Sequence, residues 1–305
     1  MKIIYDTVII GAGPAGIQAA IHAARKKTKV LLIGRTENSA LYNGHIENYA
    51  FVDGISNGYD MLAVGLTQAK RFGTEVLNED LLKITQENDL FHLELENGGS
   101  VTSHTVIFCM GVAKTKLGVE GEREFLGRGV SYCVDCDANF FRKAVVCVTG
   151  DRSAAVDGAL TLLDYAAKVY LVAAHLNVSE DLQTRLNGSA VEHIASTVTK
   201  IEGKYGVQSI VLANGETLQI DGLFIELGSK GALQLATQLG VELDVETMRY
   251  IATNRKQETN IAGIYAAGDI TGPPYQMAKA VGEGCVAGME AASYARSKKI
   301  KTGQQ

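Results

Sequence analysis

The chain has 305 residues, which is enough for two domains of ordinary size. Hydrophobic residues make up 46% and charged residues 21%, and the formal net charge of -5 provides no basic field for nucleic acid. No apolar run approaches ~18 residues, so no membrane span is predicted. Asp6 interrupts the first apolar run, which is not expected of a signal peptide. The five cysteines do not form the pattern of a secreted disulfide framework, so a cytoplasmic setting is expected.

A β-α-β unit is predicted at the start of the chain. Residues 6–10 are apolar and β-branched, as in a buried parallel strand, and residues 29–33 repeat this pattern. Between them the sequence predicts a loop over 11–16 and an Ala-rich helix over 17–24. This order is typical of a nucleotide-binding fold.

The same order of elements recurs in the middle of the chain. Predicted strands over 145–148 and 168–172 flank a predicted helix over 154–163. Strands over 91–96 and 101–108 lie between the two units. The sequence therefore predicts an α/β protein with two Rossmann-like, three-layer nucleotide-binding domains in tandem.

The loop of the first unit carries a phosphate-binding pattern. Gly11, Gly13 and Gly16 have the spacing that permits a tight turn and close approach of a pyrophosphate, with Pro14 and Ala15 between them. The N-terminus of the following helix supplies N–H groups and a partial positive charge. A purely structural glycine turn is the alternative.

The acid that usually holds the ribose hydroxyls, about 20 residues after the loop, is missing. Residues 33–35 occupy its place with the sequence Ile-Gly-Arg. Glu37 is the nearest candidate for this role.

A second signature near the C-terminus indicates FAD. A strand-like segment ends in Gly268 and Asp269, and it resembles the second FAD signature of two-domain flavoprotein disulfide reductases, whose carboxylate bonds to the ribityl chain. Gln276, Met277 and Ala278 follow at a predicted helix start, which the resemblance directs at the pyrimidine end of the flavin. A strand followed by an exposed Asp is the alternative, but two signatures in one chain favour FAD.

Cys133 and Cys136 form a CxxC pair, whose spacing lets two sulfurs form one disulfide or bind one metal ion. A zinc site needs further ligands, but Cys109 and Cys147 lie singly in apolar runs and no His lies near the pair, so no metal site is predicted. These two cysteines and Cys285 are interpreted as small hydrophobic core residues. A redox-active pair is favoured, and a structural CxxC is the alternative.

The sequence around this pair is similar to the low-molecular-weight thioredoxin reductases. Residues 125–141 resemble their redox segment, and residues 109–111 read Cys-Met-Gly where these enzymes usually have Ala-Thr-Gly. Residues 47–49 resemble their flavin-side Glu-Asn-aromatic segment. The resemblance extends over residues 5–295.

The resemblance implies a domain organisation. An FAD-binding domain over 1–113 and 244–305 would include Asn48 and Gly111 among its FAD contacts. A central redox domain over 114–243, with the CxxC pair and a degenerate NAD(P)H-binding fold, would be inserted in it.

The resemblance also implies roles for the residues of the redox pair. Cys136 would face the flavin, and Cys133 would attack the disulfide of a thioredoxin-like partner protein. Asp137 would be the general acid that protonates the leaving thiolate, with a helix N-cap as the alternative. A homodimer is also implied.

The second β-α-β unit departs from the family where NADPH binds. The family's Gly-x-Gly pattern becomes Gly150, Asp151 and Arg152, which brings a bulky side chain and a negative charge to the place of the pyrophosphate. The family's His-Arg-Arg, which grips the 2'-phosphate, is replaced by Ala173, Ala174 and His175, so two arginines are lost. Because a charge-assisted hydrogen bond contributes ~1.5–3 kcal/mol, these losses predict NADPH binding weaker by roughly 10²- to 10⁴-fold.

The leading functional hypothesis is a thioredoxin reductase-like enzyme whose electrons come from another donor, such as reduced ferredoxin. A dithiol oxidase that passes electrons to oxygen and a non-enzymatic redox-sensing flavoprotein are the alternatives. The polar tail, residues 296–305, is expected to be frayed. Because ferredoxins are acidic, the basic residues that flank the redox segment or lie in this tail are docking candidates. These residues are Lys114, Lys116, Arg123, Arg128, Arg142, Lys143, Arg296, Lys298, Lys299 and Lys301. Simple solvated faces are the alternative.

Overall fold

The computed structural model describes residues 3–112 and 116–302, without the side chains of residues 301 and 302. The described chain divides into two compact units. The first unit contains residues 3–95, 99–112 and 231–302, and the second contains residues 96–98 and 116–230. In sequence, the second unit is thus inserted in the first.

The strands of the described residues are short, and most are buried. They are β1 (Ile4–Ile10), β2 (Val30–Ile33), β3 (His45–Ile46), β4 (Ser56–Asn57), β5 (Glu75–Leu77), β6 (Leu81–Glu87), β7 (Leu90–Leu95), β8 (Ser100–Phe108), β9 (Val130–Ser131), β10 (Val145–Thr149), β11 (Lys168–Val172), β12 (Glu192–Ile194), β13 (Val198–Gly203), β14 (Val207–Leu212), β15 (Thr217–Gln219), β16 (Gly222–Ile225) and β17 (Ile264–Ala266). The α-helices are α1 (Pro14–Arg25), α2 (Gly58–Arg71), α3 (Val134–Asp137), α4 (Ser153–Leu162), α5 (Glu180–Asn187), α6 (Ala232–Gln238) and α7 (Met277–Thr302).

The first unit is built on a mixed sheet with the strand order β5-β2-β1-β8-β7-β6, and β17 also pairs with β8. Its nucleotide-binding part is parallel, whereas β6, β7 and β8 form an antiparallel meander. Helices α1 and α7 cover one face, on which Ile9 and Ile107 are buried. Their close approach depends on Gly284, because a Cβ there would lie 2.2 Å from the Ala15 carbonyl oxygen.

The second unit is built on a parallel sheet with the strand order β12-β11-β10-β16-β9. Helix α4 packs on β10 and β11, and the antiparallel strands β13, β14 and β15 share a core with Cys147 and Leu223 of the sheet. Both units thus have Rossmann-like architecture, and the predicted α/β fold with two such domains in tandem, the second inserted in the first, is confirmed. No helix of the described part of the chain is long and apolar enough to cross a membrane.

Two sequence-based boundaries differ from the structure. The first helix begins at Pro14 rather than at residue 17, because proline at the first helical position has a suitable backbone angle and needs no N–H partner there. The prediction that residues 296–305 are frayed is wrong for residues 296–302, since α7 continues to Thr302, and residues 303–305 lie outside the described residues. Lys299 Nζ lies 2.6 Å from Asp6 Oδ1, and Lys298 Nζ lies 3.0 Å from Asp89 Oδ2, which ties the end of α7 to its own unit.

The segment after β16 leaves the second unit earlier than the predicted domain boundary at residue 243. Helix α6 packs Ala232, Leu235 and Ala236 into the core of the first unit, beside residues such as Val8 and Phe108. The compact second unit accordingly ends at Lys230. The functional domain limits themselves stay a prediction.

Candidate functional site

The glycine loop of the first unit leads from β1 directly into α1. Gly13 is the N-cap of α1 and has no side chain that could bond to this helix end, and the first turn contains no acid. A Cβ at Gly16 would lie 1.9 Å from the Gly11 carbonyl oxygen, so this close approach of helix and loop requires glycine. The N-terminus of α1 therefore has the positive potential that favours a phosphate group.

The carboxyl end of β2 carries charged residues beside this loop. Glu37 is exposed on a 3-10 helix, Thr36–Asn38. Arg35 Nε lies 3.6 Å from Asp80 Oδ1, and the Asp80 side chain is only 6% exposed. Sequence analysis missed Asp80, because it reaches Arg35 from the connection between β5 and β6.

The second predicted signature forms a tight turn at the end of β17. Gly268, with a φ of 90°, precedes a 3-10 helix that begins at Asp269. Burial raises the pKa of the Asp269 carboxyl group, while Lys279 lowers it and Glu283 raises it further. The turn thus presents a half-buried carboxylate.

Two residues of α7 hold this turn, and sequence analysis missed both. Glu283 Oε2 accepts hydrogen bonds of 2.8 Å from the Gly268 N–H and from the Thr271 hydroxyl. Lys279 Nζ donates to the Gly268 carbonyl oxygen at 2.8 Å and to the Gly272 carbonyl oxygen at 2.7 Å. Lys279 and Glu283 also pair with each other at 3.1 Å, and their spacing of four residues was the signal by which the sequence could have indicated them.

The structure brings together some of the other predicted FAD residues. The Asn48 side-chain amide donates to Gln276 Oε1 at 3.3 Å. Met277 is half-buried and begins α7, and Ala278 is exposed. Gly111 is also exposed, and a Cβ there would meet nothing within 4 Å, so no contact of the described protein requires glycine at this position.

The first unit thus offers an uncapped helix N-terminus behind a glycine loop and a half-buried carboxylate held by α7. The same unit has open space at Gly111, and the side-chain amides of Asn48 and Gln276 are exposed and can bond to a ligand. Phosphates, ribityl hydroxyls and the polar edge of a flavin need groups of these kinds. The residues therefore fit FAD.

In the second unit, Cys133 and Cys136 form a disulfide with a Cα–Cα distance of 5.3 Å. Cys133 is the N-cap of α3 and is 7% exposed, whereas Cys136 is exposed. The two sulfurs are thus bonded to each other, as the redox hypothesis predicts. Among the residues that the structure describes, no cluster of three His, Cys, Asp or Glu side chains could hold a metal ion.

A hydrogen-bond network connects Asp137 to Cys133. The Ser131 hydroxyl donates to Asp137 Oδ2 at 2.6 Å and accepts from the Cys133 N–H at 3.0 Å. Asp137 stands at the N-cap of the 3-10 helix Ala138–Phe141, but its side chain makes no capping bond. Two hydrogen bonds through the Ser131 hydroxyl thus connect the Asp137 carboxylate to the Cys133 N–H, and the choice between general acid and N-cap for Asp137 stays a prediction.

Sequence analysis missed two charged residues beside the disulfide. Glu226 Oε1 accepts a hydrogen bond of 2.9 Å from the Val134 N–H, inside the CxxC pair. Lys230 Nζ lies 3.1 Å from Asp135 Oδ2. An acid at the end of the apolar run of β16 was the available signal, since a buried carboxylate needs a partner.

The glycine loop of the second unit differs from that of the first. Arg152 is the N-cap of α4, where a nucleotide-binding loop would have glycine. The Ala154 N–H, in the first turn of α4, donates to the Gly228 carbonyl oxygen at 3.3 Å. Ala173 is buried at the end of β11, and its carbonyl oxygen lies 3.1 Å from His193 Nε2.

The remaining cysteines are not part of this centre. Cys109 and Cys147 are buried, as predicted, and burial raises the pKa of both thiols far above the ordinary value. Thiols of this kind are poor nucleophiles at neutral pH. Cys285 is half-buried on α7, so its interpretation as a core residue holds only in part.

Comparisons with known proteins agree with this description. The family model for pyridine nucleotide-disulphide oxidoreductases matches residues 5–284. The thioredoxin reductase of Treponema pallidum (strain Nichols) is 32% identical, with 96% of this chain and 98% of that protein covered. The structure of the atypical thioredoxin reductase TRi from Desulfovibrio vulgaris Hildenborough is similar with a TM-score of 0.82 and 32% identity, over 96% of this chain and 98% of that one.

A ferredoxin-flavin thioredoxin reductase from Clostridium acetobutylicum is also similar, with a TM-score of 0.68 and 32% identity over 96% of this chain and 99% of that one. The predicted resemblance to low-molecular-weight thioredoxin reductases is confirmed, and FAD is the cofactor of this family. The chain belongs to the pyridine nucleotide-disulphide oxidoreductases, as a thioredoxin reductase-like, FAD-dependent disulfide oxidoreductase with its disulfide at Cys133 and Cys136.

Proposed function

We propose that the protein reduces a thioredoxin-type disulfide with electrons from a donor other than a nicotinamide, such as reduced ferredoxin. The carrying observation is Arg152 at the N-cap of α4, the place where a dinucleotide pyrophosphate would need a glycine. The likeness to a ferredoxin-flavin thioredoxin reductase supports ferredoxin as the donor class.

In this proposal FAD is held in the first unit. The residues of the loop, Gly11, Gly13, Pro14, Ala15 and Gly16, bind its phosphates, with Glu37 at the adenosine ribose and Asp269 at the ribityl chain. The flavin-side residues are Asn48, Gly111, Gln276, Met277 and Ala278. When bound, FAD supplies the electron pair that returns the Cys133–Cys136 disulfide to the dithiol.

The dithiol then reduces the partner in two exchange steps. The Cys133 thiolate attacks the partner disulfide, a mixed disulfide forms, and Asp137 protonates the partner thiolate that leaves. The Cys136 thiol next attacks the Cys133 sulfur and its proton passes to the second partner sulfur, so the partner leaves as a dithiol and the Cys133–Cys136 disulfide is restored. Because Cys133 is the less exposed sulfur in the disulfide state, this order of attack requires it to become accessible.

Anaerobic mixing with candidate donors tests the proposal. Reduced ferredoxin should bleach the flavin absorbance rapidly, whereas millimolar NADPH or NADH should act far too slowly to be physiological. Rapid and complete bleaching by either nucleotide would contradict it. Oxygen consumption driven by a small dithiol, without ferredoxin, would instead favour the dithiol oxidase alternative.

Single cysteine variants test the roles of the two sulfurs. Cys136→Ser should accumulate a mixed disulfide between Cys133 and thioredoxin, because the resolving thiol is missing. Cys133→Ser is the matched control and should trap little. Equal trapping by both variants, measured on non-reducing gels, would reject the assigned order.

The proposed docking of an acidic donor relies on basic residues of the second unit. Lys116, Arg123, Arg128, Arg142 and Lys143 are exposed there. In the tail, Lys298 and Lys299 pair with acids of their own unit, which makes them weaker candidates. Lys114 and the side chain of Lys301 lie outside the described residues.

The homodimer and the cytoplasmic setting belong to the proposal as well. The resemblance to low-molecular-weight thioredoxin reductases supports the dimer, and the cysteine pattern supports the cytoplasmic setting. Light scattering of the purified protein, with the mass of two chains as the expected result, tests the dimer.

A further inference from the structure

Helix α3, which carries the redox disulfide, is held by two buried charged side chains from the segment after β16. Glu226 accepts a hydrogen bond of 2.9 Å from the Val134 N–H. The Lys230 ammonium group lies 3.4 Å and 3.1 Å from the two carboxylate oxygens of Asp135. Both contacts fall on the two residues between Cys133 and Cys136, so this segment fixes the part of the chain that must exchange disulfides.

Lys230 also binds a second carboxylate. Its Nζ lies 2.9 Å from Asp157 Oδ2 on α4, and only 7% of its side chain is exposed. Burial lowers the pKa of Lys230, but Asp157 and Asp135 together raise it above the ordinary value, so the group is a cation at neutral pH. Since a buried ion pair costs desolvation and contributes little net stability, a role in stability alone does not account for it.

Among the contacts described around α3, carboxylates outnumber cations. The carboxylates are Asp135 and Asp137 on α3 itself, Glu226 after β16 and Asp157 on α4. The cations of these contacts are Lys230 after β16 and Arg185 of α5, which lies 4.0 Å from Asp157. A thiolate forms only in the reduced state, because the disulfide is uncharged. Each of these carboxylates therefore disfavours the reduced state, and the Lys230 ammonium group opposes them.

We propose that Lys230 is a positioning residue of the redox centre, which holds α3 through Asp135 and supplies the positive charge that stabilises the Cys133–Cys136 dithiol. Asp157 has the opposite electrostatic effect, although it anchors the same ammonium group. The two residues thus make a signed prediction. If they act by charge, removal of the Lys230 ammonium group favours the disulfide, and removal of the Asp157 carboxylate favours the dithiol.

The test is the thiol–disulfide equilibrium of the FAD-containing protein with dithiothreitol, without oxygen. In this reaction the Cys133–Cys136 bond breaks and two thiols form, while dithiothreitol becomes its cyclic disulfide. The dithiol fraction is measured by alkylation with a maleimide that shifts mobility on a gel. Lys230→Met should shift the equilibrium constant roughly threefold to tenfold towards the disulfide, and Asp157→Asn by a similar factor towards the dithiol.

Controls separate charge from packing. Lys230→Arg retains the charge and should restore most of the wild-type equilibrium. Lys200→Met removes a half-exposed lysine of the same unit, paired with Glu120 and Glu202, and should have no effect. Shifts in the same direction for Lys230→Met and Asp157→Asn, or no shift, would overturn the proposal.

Should Lys230→Met fail to fold, as circular dichroism would show, the direction of the Asp157→Asn shift decides alone. A shift towards the disulfide or no shift then overturns the proposal. Because dithiothreitol replaces the physiological donor, the outcome is independent of whether ferredoxin reduces the protein.

Discussion

The two loops that lead into α1 and α4 both end in an extended N-cap residue, but that residue is glycine in the first loop and arginine in the second. Gly13 is the N-cap of α1 with φ -86° and ψ -173°, and Arg152 is the N-cap of α4 with φ -122° and ψ -173°. Both are extended conformations that any residue adopts. Glycine is therefore not needed at position 13 to start the helix, and its use there is explained by the space that it leaves for a ligand.

The comparison separates the requirements of the fold from those of the ligand. Gly16 is required by the fold, because its helix touches the loop backbone. Gly13 has no such contact, since a Cβ there would meet Ser39 Oγ at 3.3 Å and no backbone atom within 4 Å. The β-α-β unit of the second half could thus lose its ligand-binding residue and keep its fold.

The largest expected effect comes from placing an arginine, the residue at position 152 of the second loop, at position 13 of the first loop. Gly13→Arg should fold but lose essentially all bound FAD, because the side chain would fill the space in front of the α1 N-terminus. The ratio of flavin to protein absorbance in the purified protein measures this. Gly13→Ala is the control and should retain much of the FAD, and a Gly13→Arg protein with one FAD per chain would show that the comparison fails.

The second site signature should give a smaller but still large effect. Asp269→Ala should lose most of the FAD, because the half-buried carboxylate at the end of β17 is the group assigned to the ribityl chain. Asp244→Ala removes a half-buried acid of the same unit, whose side chain accepts hydrogen bonds from the nearby Thr247, and this variant should keep its FAD. Unchanged FAD content in Asp269→Ala would remove Asp269 from the site.

The reverse exchange in the second unit should give a gain of NADPH binding that is smaller than the losses of FAD expected in the first unit. Arg152→Gly combined with Ala174→Arg should restore measurable NADPH binding, with the arginine contributing roughly tenfold to hundredfold through the 2'-phosphate. Titration calorimetry of the double variant against Arg152→Gly alone measures the contribution. If the double variant binds no NADPH, the loss is not local to these residues, and the Gly228 carbonyl oxygen at the first turn of α4 is the next obstacle to test.

These experiments concern residues that local sequence patterns could predict. The two β-α-β units, the glycine loop and the CxxC pair depend on spacings within a few residues, and these predictions hold in the structure. The partners of Asp80, Glu226 and Lys230 could not be found in this way. Each reaches its partner from a distant part of the chain, and only the packed fold defines those distances.

The smallest expected effect concerns the response of the first unit to acid, through a half-buried histidine. Burial lowers the pKa of His104 on β8, Asp6 opposes this shift, and Lys299 and Lys298 add to it. The folded first unit therefore binds this proton less readily than the unfolded chain, whose His pKa is 6.5. The resulting stability is fully present above pH 6.5 and is lost as the pH falls from there through the lowered pKa of the folded state.

Release of FAD on heating reports on the first unit and can measure this loss. The FAD release temperature of the wild type should decrease between neutral pH and about pH 5. In His104→Gln this decrease should be smaller by about one or two degrees, which is the scale expected for a single partly buried group in a domain of this size. His193→Gln in the second unit is the matched control and should leave the fall unchanged. An identical pH response of wild type and His104→Gln would assign the acid sensitivity of the FAD-binding unit to other groups, with His22 on α1, whose pKa burial also lowers, as the first to examine.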